Sequence, residues 1–61
     1  MPIVRISLLE GRTHAQKREL ARVITEAVVN IAQTTPEATT VIFEDFARTD
    51  WAEGGILFSD K

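Results

Sequence analysis

Two β-branched runs with one amphipathic helical stretch between them constrain this chain more than any other feature of it. Ile3–Leu9 (IVRISLL) alternates, putting Val4, Ile6 and Leu8 on one face and Ile3, Arg5, Ser7 and Leu9 on the other. Residues 39–46 (TTVIFEDF) form a second run of the same character. In between, Leu20, Val23, Ile24, Ala27, Val28 and Ile31 recur at three- and four-residue spacing while Lys17, Arg18, Glu19, Arg22, Glu26 and Asn30 fall elsewhere, which predicts a helix of about five turns. Its start is marked at Thr13-His14-Ala15-Gln16, a capping-box pattern in which the Thr13 hydroxyl accepts from the Gln16 amide and the Gln16 side chain reaches back. Its end is expected at Thr34-Thr35-Pro36, because a residue before proline is pushed out of the helical region.

A strand, a crossover of roughly thirty residues and a second strand make a βαβ unit, so the strands are expected parallel with a right-handed connection. After Asp50, the Trp51-Ala52-Glu53-Gly54-Gly55 segment is turn-like, and Ile56-Leu57-Phe58 is expected as a short closing strand or hairpin arm. The fold class is therefore α+β, a single domain over residues 1–61 with a parallel two-stranded sheet and a short hairpin after it. Such a unit leaves one sheet face and two strand edges uncovered, and a chain this short buries only about 60% of its extended surface. Small domains compensate with disulfides, metals or self-association. The sequence has no Cys and one His, His14, which removes the first two, so association with copies or close relatives of the chain is expected.

Charge narrows the partners. Seven basic and nine acidic residues are spread without a basic run, so no nucleic-acid partner is expected. No apolar stretch approaches the ~20 residues of a membrane span, and no secretory leader pattern is present, from which a cytoplasmic protein without a membrane partner is expected. Asp45, Glu44 and Asp50 are not spaced as metal ligands, His14 is read as solvated, and neither metal nor cofactor is expected. Phe43, Phe46 and Phe58 are read as core or subunit interface.

Two residues could carry chemistry. Pro2 follows the initiator directly. If Met1 is trimmed, its nitrogen becomes a secondary amine, and partial desolvation or nearby cations would lower its pKa towards neutrality and make it a general base. The plainer alternative is that Pro2 rigidifies the first residue of a strand. Arg12 lies just before the helix N-terminus, where free amides already favour an anion and a guanidinium can grip a carboxylate with two hydrogen bonds. The alternative there is a solvated charge paired with Glu10.

Met1-Pro2-Ile3, then Leu9-Glu10-Gly11-Arg12-Thr13-His14-Ala15-Gln16-Lys17, then Val41-Ile42-Phe43-Glu44-Asp45, Trp51 and Gly54-Gly55 together resemble the 4-oxalocrotonate tautomerase family over nearly the whole chain. The resemblance implies an isomerase built from β-α-β units as a hexamer, a trimer of dimers. It implies that Pro2 is the general base moving a proton between a dienol and its conjugated ketone, in small unsaturated 2-oxo or 2-hydroxy carboxylic and dicarboxylic acids. Arg12 would hold the distal carboxylate, and Trp51, where the family usually has Phe, would wall the apolar pocket that lowers the proline pKa. Leu9, at the end of the first strand, is counted with the substrate-binding residues.

Two departures from the family pattern stand out. At the position of a second family arginine, which binds the keto oxygen and a carboxylate oxygen from a neighbouring subunit, this chain has Thr40. A neutral hydroxyl is a weaker partner than a charged bidentate pair, so Arg5, Arg48 or another subunit would have to supply the cation. That is also the feature favouring a mixed hexamer with a paralogous chain over a homohexamer. Second, Glu53 stands where the related 3-chloroacrylic acid dehalogenases carry a water-activating glutamate. This opens a hydratase or dehalogenase reading, against a plain surface carboxylate on a hairpin.

Overall fold

The computed structural model describes residues 1–61. It contains β1 (Ile3–Leu9), α1 (His14–Ala32), a 3-10 turn at Pro36–Ala38, β2 (Thr40–Phe46), a second 3-10 turn at Arg48–Asp50, β3 (Ala52–Glu53), β4 (Ile56–Leu57) and a last 3-10 turn at Phe58–Asp60. β1 and β2 pair in parallel from Ile3↔Thr40 to Leu9↔Phe46, and β3 and β4 form a separate antiparallel hairpin. Backbone bonds prolong the parallel ladder at both ends, from the Thr40 N–H to the Pro2 carbonyl (3.0 Å) and from the Glu10 N–H to the Phe46 carbonyl (2.8 Å). No helix is long and apolar enough to cross a membrane.

Local sequence accounts for the boundaries. Thr13 and Gln16 form the full capping box, at 2.9 and 3.1 Å. The helix stops earlier than the proline rule predicts: Gln33 takes a left-handed conformation (φ 55°) and its N–H bonds the Val29 carbonyl, so the cap, and not Pro36, ends α1. Pro36 instead opens a 3-10 turn capped by Thr35, which takes up Thr39 and delays β2 to Thr40. Gly54 and Gly55, at φ 61° and 81°, supply the positive dihedrals of a type I′ turn, the two-residue connection whose twist suits a hairpin. Phe58 is the one part of the expected closing strand that leaves it, entering the last 3-10 turn.

The inner sheet face, with Val4, Ile6, Leu8, Val41 and Phe43, carries the helix through Ala21, Ile24 and Val28, all half-buried. Lys17 of the helix pairs with Asp45 on the same face of β2. The helix has a second apolar stripe, however, at Leu20, Val23, Ala27 and Ile31, which the sequence periodicity merges with the first. It lies exposed, with Ile31 at 84% of its free surface. The outer sheet face, which presents Ile3, Arg5, Ser7 and Leu9 beside Thr40, Ile42, Glu44 and Phe46, carries no helix, only Trp51 against Phe46 at its far end, and Arg5 and Glu44 approach across it at 3.9 Å. No residue in the chain is fully buried.

The proportions tell the same story. The radius of gyration is 14.6 Å, where a compact chain of this length would have about 10.5 Å, and the longest dimension is 43 Å. The accessible surface is 4576 Å², against roughly 4,000 Å² for an ordinary folded protein of this mass.

Candidate active site

The residues singled out in the sequence divide between the two ends of one parallel sheet. Pro2 is half-buried at the start of β1, and its carbonyl accepts from Thr40, the first residue of β2. In-register parallel pairing is what sets these two side by side. At the far end, after six residue rises of about 3.3 Å, or roughly 20 Å, lie Leu9, the turn carrying Arg12, and the chain leaving Phe46 for Trp51. One copy therefore brings Pro2 to Thr40 and keeps both away from Arg12 and Trp51.

Arg12 is exposed in the turn between β1 and α1, a turn that Gly11 makes with φ 123°. None of the four ion pairs involves it, so the expected alternative pairing with Glu10 does not occur. With Gln16, Glu19, Leu20 and Val23 it lines an open depression of about 360 Å³ on the helix flank. Glu19 does not compete for it: the Arg22 guanidinium hydrogen-bonds and attracts the Glu19 carboxylate, lowering its pKa, and Arg22 also reaches Glu26. None of the three surface depressions is lined by Pro2, whose surroundings within a single chain are the open strand end.

Trp51 is half-buried where the hairpin begins. Its indole meets Phe46 edge-on at 5.8 Å between ring centroids, and its N–H donates a long hydrogen bond of 3.5 Å to Glu53. Glu53 itself is exposed on β3. Of the two candidate substitute cations, Arg5 lies on the outer sheet face near Glu44, and Arg48 lies over the Phe58 ring at 5.8 Å. No group of three or more His, Cys, Asp or Glu side chains is disposed to hold a metal ion.

Sequence reasoning assigned Phe46 and Phe58 to packing alone, yet both touch Trp51. The signal was available. A hairpin turning on Gly54-Gly55 pairs 53 with 56 and 52 with 57, so the next pair outward is Trp51 with Phe58. The Phe58 N–H does bond the Trp51 carbonyl, at 2.8 Å.

A parallel β-α-β unit of this size, with Pro at its second position, an unpaired Arg before the helix and a Gly-Gly hairpin, is the arrangement that places the chain in a family. Residues 2–61 match the family model described as tautomerase enzyme, and the chain belongs to the tautomerase family. It is 41% identical over 61 residues to a probable tautomerase of Ralstonia nicotianae, covering 100% of this chain and 94% of that one. It is also 42% identical over 60 residues to a probable tautomerase of Listeria monocytogenes, covering 98% of each. Among solved structures, a 4-oxalocrotonate tautomerase homologue superposes with a TM-score of 0.97 at 43% identity, over 100% of this chain and 97% of that one. A heterohexamer 4-oxalocrotonate tautomerase from Chloroflexus aurantiacus superposes at 0.90 with 33% identity, over 98% and 97%.

Proposed function

We propose that this chain, trimmed of Met1 and assembled as six copies or with a paralogous chain, is a tautomerase of small unsaturated 2-hydroxy and 2-oxo acids with Pro2 as general base. One observation carries the reading: the candidate residues lie at opposite ends of a sheet whose outer face carries no helix, so a site that uses all of them has the Pro2 end of one copy meeting the Arg12 and Trp51 end of another. The bare apolar surfaces are what such a meeting would bury. Six chains is the state implied by the family likeness, and the Chloroflexus aurantiacus relative is a heterohexamer.

In the proposed reaction the Pro2 amine takes the proton from the enol oxygen of a 2-hydroxydienoate. The O–H electrons form the carbonyl, the conjugated π electrons move along the chain, and the ammonium returns the same proton to carbon. No redox partner is needed. Arg12 holds the carboxylate remote from the reacting end, as a planar guanidinium free of other ion pairs can. Trp51 walls the site with apolar surface, which disfavours the charged ammonium and holds the amine ready near neutral pH. Leu9 extends that wall, and Thr40, beside Pro2, offers its hydroxyl to the 2-oxo oxygen.

Trimming is a condition of this chemistry, because with Met1 attached the Pro2 nitrogen is an amide without a basic lone pair. Met1 is 91% exposed, open to removal. The test is an intact mass lacking Met1, followed by acylation of the terminal amine. Activity towards 2-hydroxymuconate-like acids should fall by about 10²–10⁴-fold, the usual contribution of a general base. Activity that survives complete acylation would refute the assignment.

A second reading is favoured by the Trp51–Glu53 hydrogen bond, which sets a carboxylate beside the same aromatic wall. There Glu53 would activate water for addition to a 3-haloacrylate-like acid. Glu53→Gln separates the two: it abolishes hydration on the second reading and spares tautomerisation on the first.

A further inference from the structure

The hairpin holds an aromatic arrangement that the proposed chemistry leaves unused. Phe58 packs on Trp51 at 6.4 Å between ring centroids, tilted 58°, across the hairpin from it. Phe58 is itself held from several directions. Its N–H bonds the Trp51 carbonyl at 2.8 Å, the Lys61 ammonium lies 4.2 Å from its ring centroid, and the Arg48 guanidinium lies 5.8 Å from it. Trp51 has less support of its own, since it precedes strands of only two residues, too short to hold a large side chain in one orientation by pairing alone. Phe46 reaches the indole from β2, so the ring meets both Phe46 and Phe58.

We propose that Phe58 is a positioning residue for Trp51: by fixing the indole it sets the apolar wall of the proton-transfer site, with Lys61 and Arg48 steadying the Phe58 ring by cation–π attraction. The inference rests on the function proposed above. Aromatic pairs favour edge-on and tilted arrangements such as these two, so Phe46 and Phe58 together select one orientation of the indole. A cation above the Phe58 ring adds an attraction that a merely apolar filler would not need. Loss of Phe58 frees the indole and admits water to the wall. A wetter wall penalises the ammonium form of Pro2 less, so the amine pKa rises and the acid limb of the rate profile moves to higher pH.

Trp51 is the only tryptophan and the chain has no tyrosine, so emission excited at the red edge, where an introduced tyrosine does not absorb, reports this one side chain in every variant. The experiment compares wild type, Phe58→Ala, Phe58→Leu and Phe58→Tyr in the trimmed, assembled protein, with sedimentation confirming equal assembly. Phe58→Ala should shift Trp51 emission to the red, lower its anisotropy and move the acid limb of kcat/KM upward, and Phe58→Tyr should restore all three. If Phe58→Ala does not assemble, Phe58→Leu keeps apolar bulk without the flat ring and carries the same readouts. Unchanged emission and an unchanged acid limb in an assembled Ala or Leu variant overturn the proposal. The emission arm needs no turnover, so a wild type that moves no proton defeats the functional reading and leaves the positioning of Trp51 to be judged on emission.

Discussion

Replacing Ile31 by Ala separates an isolated chain from an assembled one by free energy. In the single chain Ile31 is 84% exposed, so its truncation there should cost no more than about 0.5 kcal/mol, as at other surface positions. In the proposed assembly the Leu20, Val23, Ala27 and Ile31 stripe faces a second copy. Burying an isoleucine completely is worth about 1.5–3 kcal/mol, so with that exposure assembly recovers roughly 1.3–2.5 kcal/mol at this residue. A twofold interface contains the residue twice, and Ala keeps only its β-carbon. The expected loss is then about 2–4 kcal/mol for a pair of chains, or ~30- to 1,000-fold in the dissociation constant. Sedimentation velocity over a dilution series reads this directly, with thermal unfolding at two protein concentrations as a cross-check. A wild type that remains a folded monomer at micromolar concentration, or an Ile31→Ala protein that dissociates and melts as the wild type does, would refute the reasoning.

Arg12→Ala should raise KM more than it lowers kcat, because a carboxylate contact made before and during the reaction is mainly uniform binding, and steady-state kinetics on dicarboxylate and monocarboxylate substrates should show the larger effect on the former. Thr40→Arg should raise kcat/KM by up to ~10²–10³-fold by putting a preorganised cation where charge grows on the 2-oxo oxygen. If Arg48 or Arg5 of a neighbour already serves, that change adds nothing while Arg48→Ala or Arg5→Ala cripples the enzyme. Glu19 has its pKa lowered from the ordinary 4.5 by the Arg22 hydrogen bond, so its stabilising contribution is complete above that ordinary value and is lost as pH falls through the lower folded one. Melting curves across that acidic range should therefore fall less steeply for Glu19→Gln than for wild type, and by a small margin because the pair is exposed.

Most of the architecture was legible because it rests on local signals. The alternation in Ile3–Leu9, the Thr13–Gln16 box and the Gly54-Gly55 turn each act within a few residues, and each appears where its pattern stands. The helix end was misplaced because a left-handed Gln33 carries no signal comparable to a glycine, so Pro36 drew the attribution. The helix periodicity also concealed two stripes as one, since Ile24 and Val28 follow directly on Leu20 and Ile31 around the wheel and only the packing on the sheet tells the two stripes apart. The site was legible as residue types and not as a place. Pairing across β1 and β2 sets Thr40 beside Pro2, a non-local fact, and no pattern along one chain says which copy supplies which half.

The division of the candidate residues between the two sheet ends has a consequence for inheritance. If each site borrows Pro2 from one chain and Arg12 from another, a lesion at one end leaves the same chain's other end fit to serve a neighbour. Of two alleles, one blocked at the proline would be silent alone and one lacking the arginine would bind its substrate poorly, yet random mixing of their chains would rebuild about one fully equipped site in four. A duplicated gene could then shed one end's residues without losing its place in a working particle.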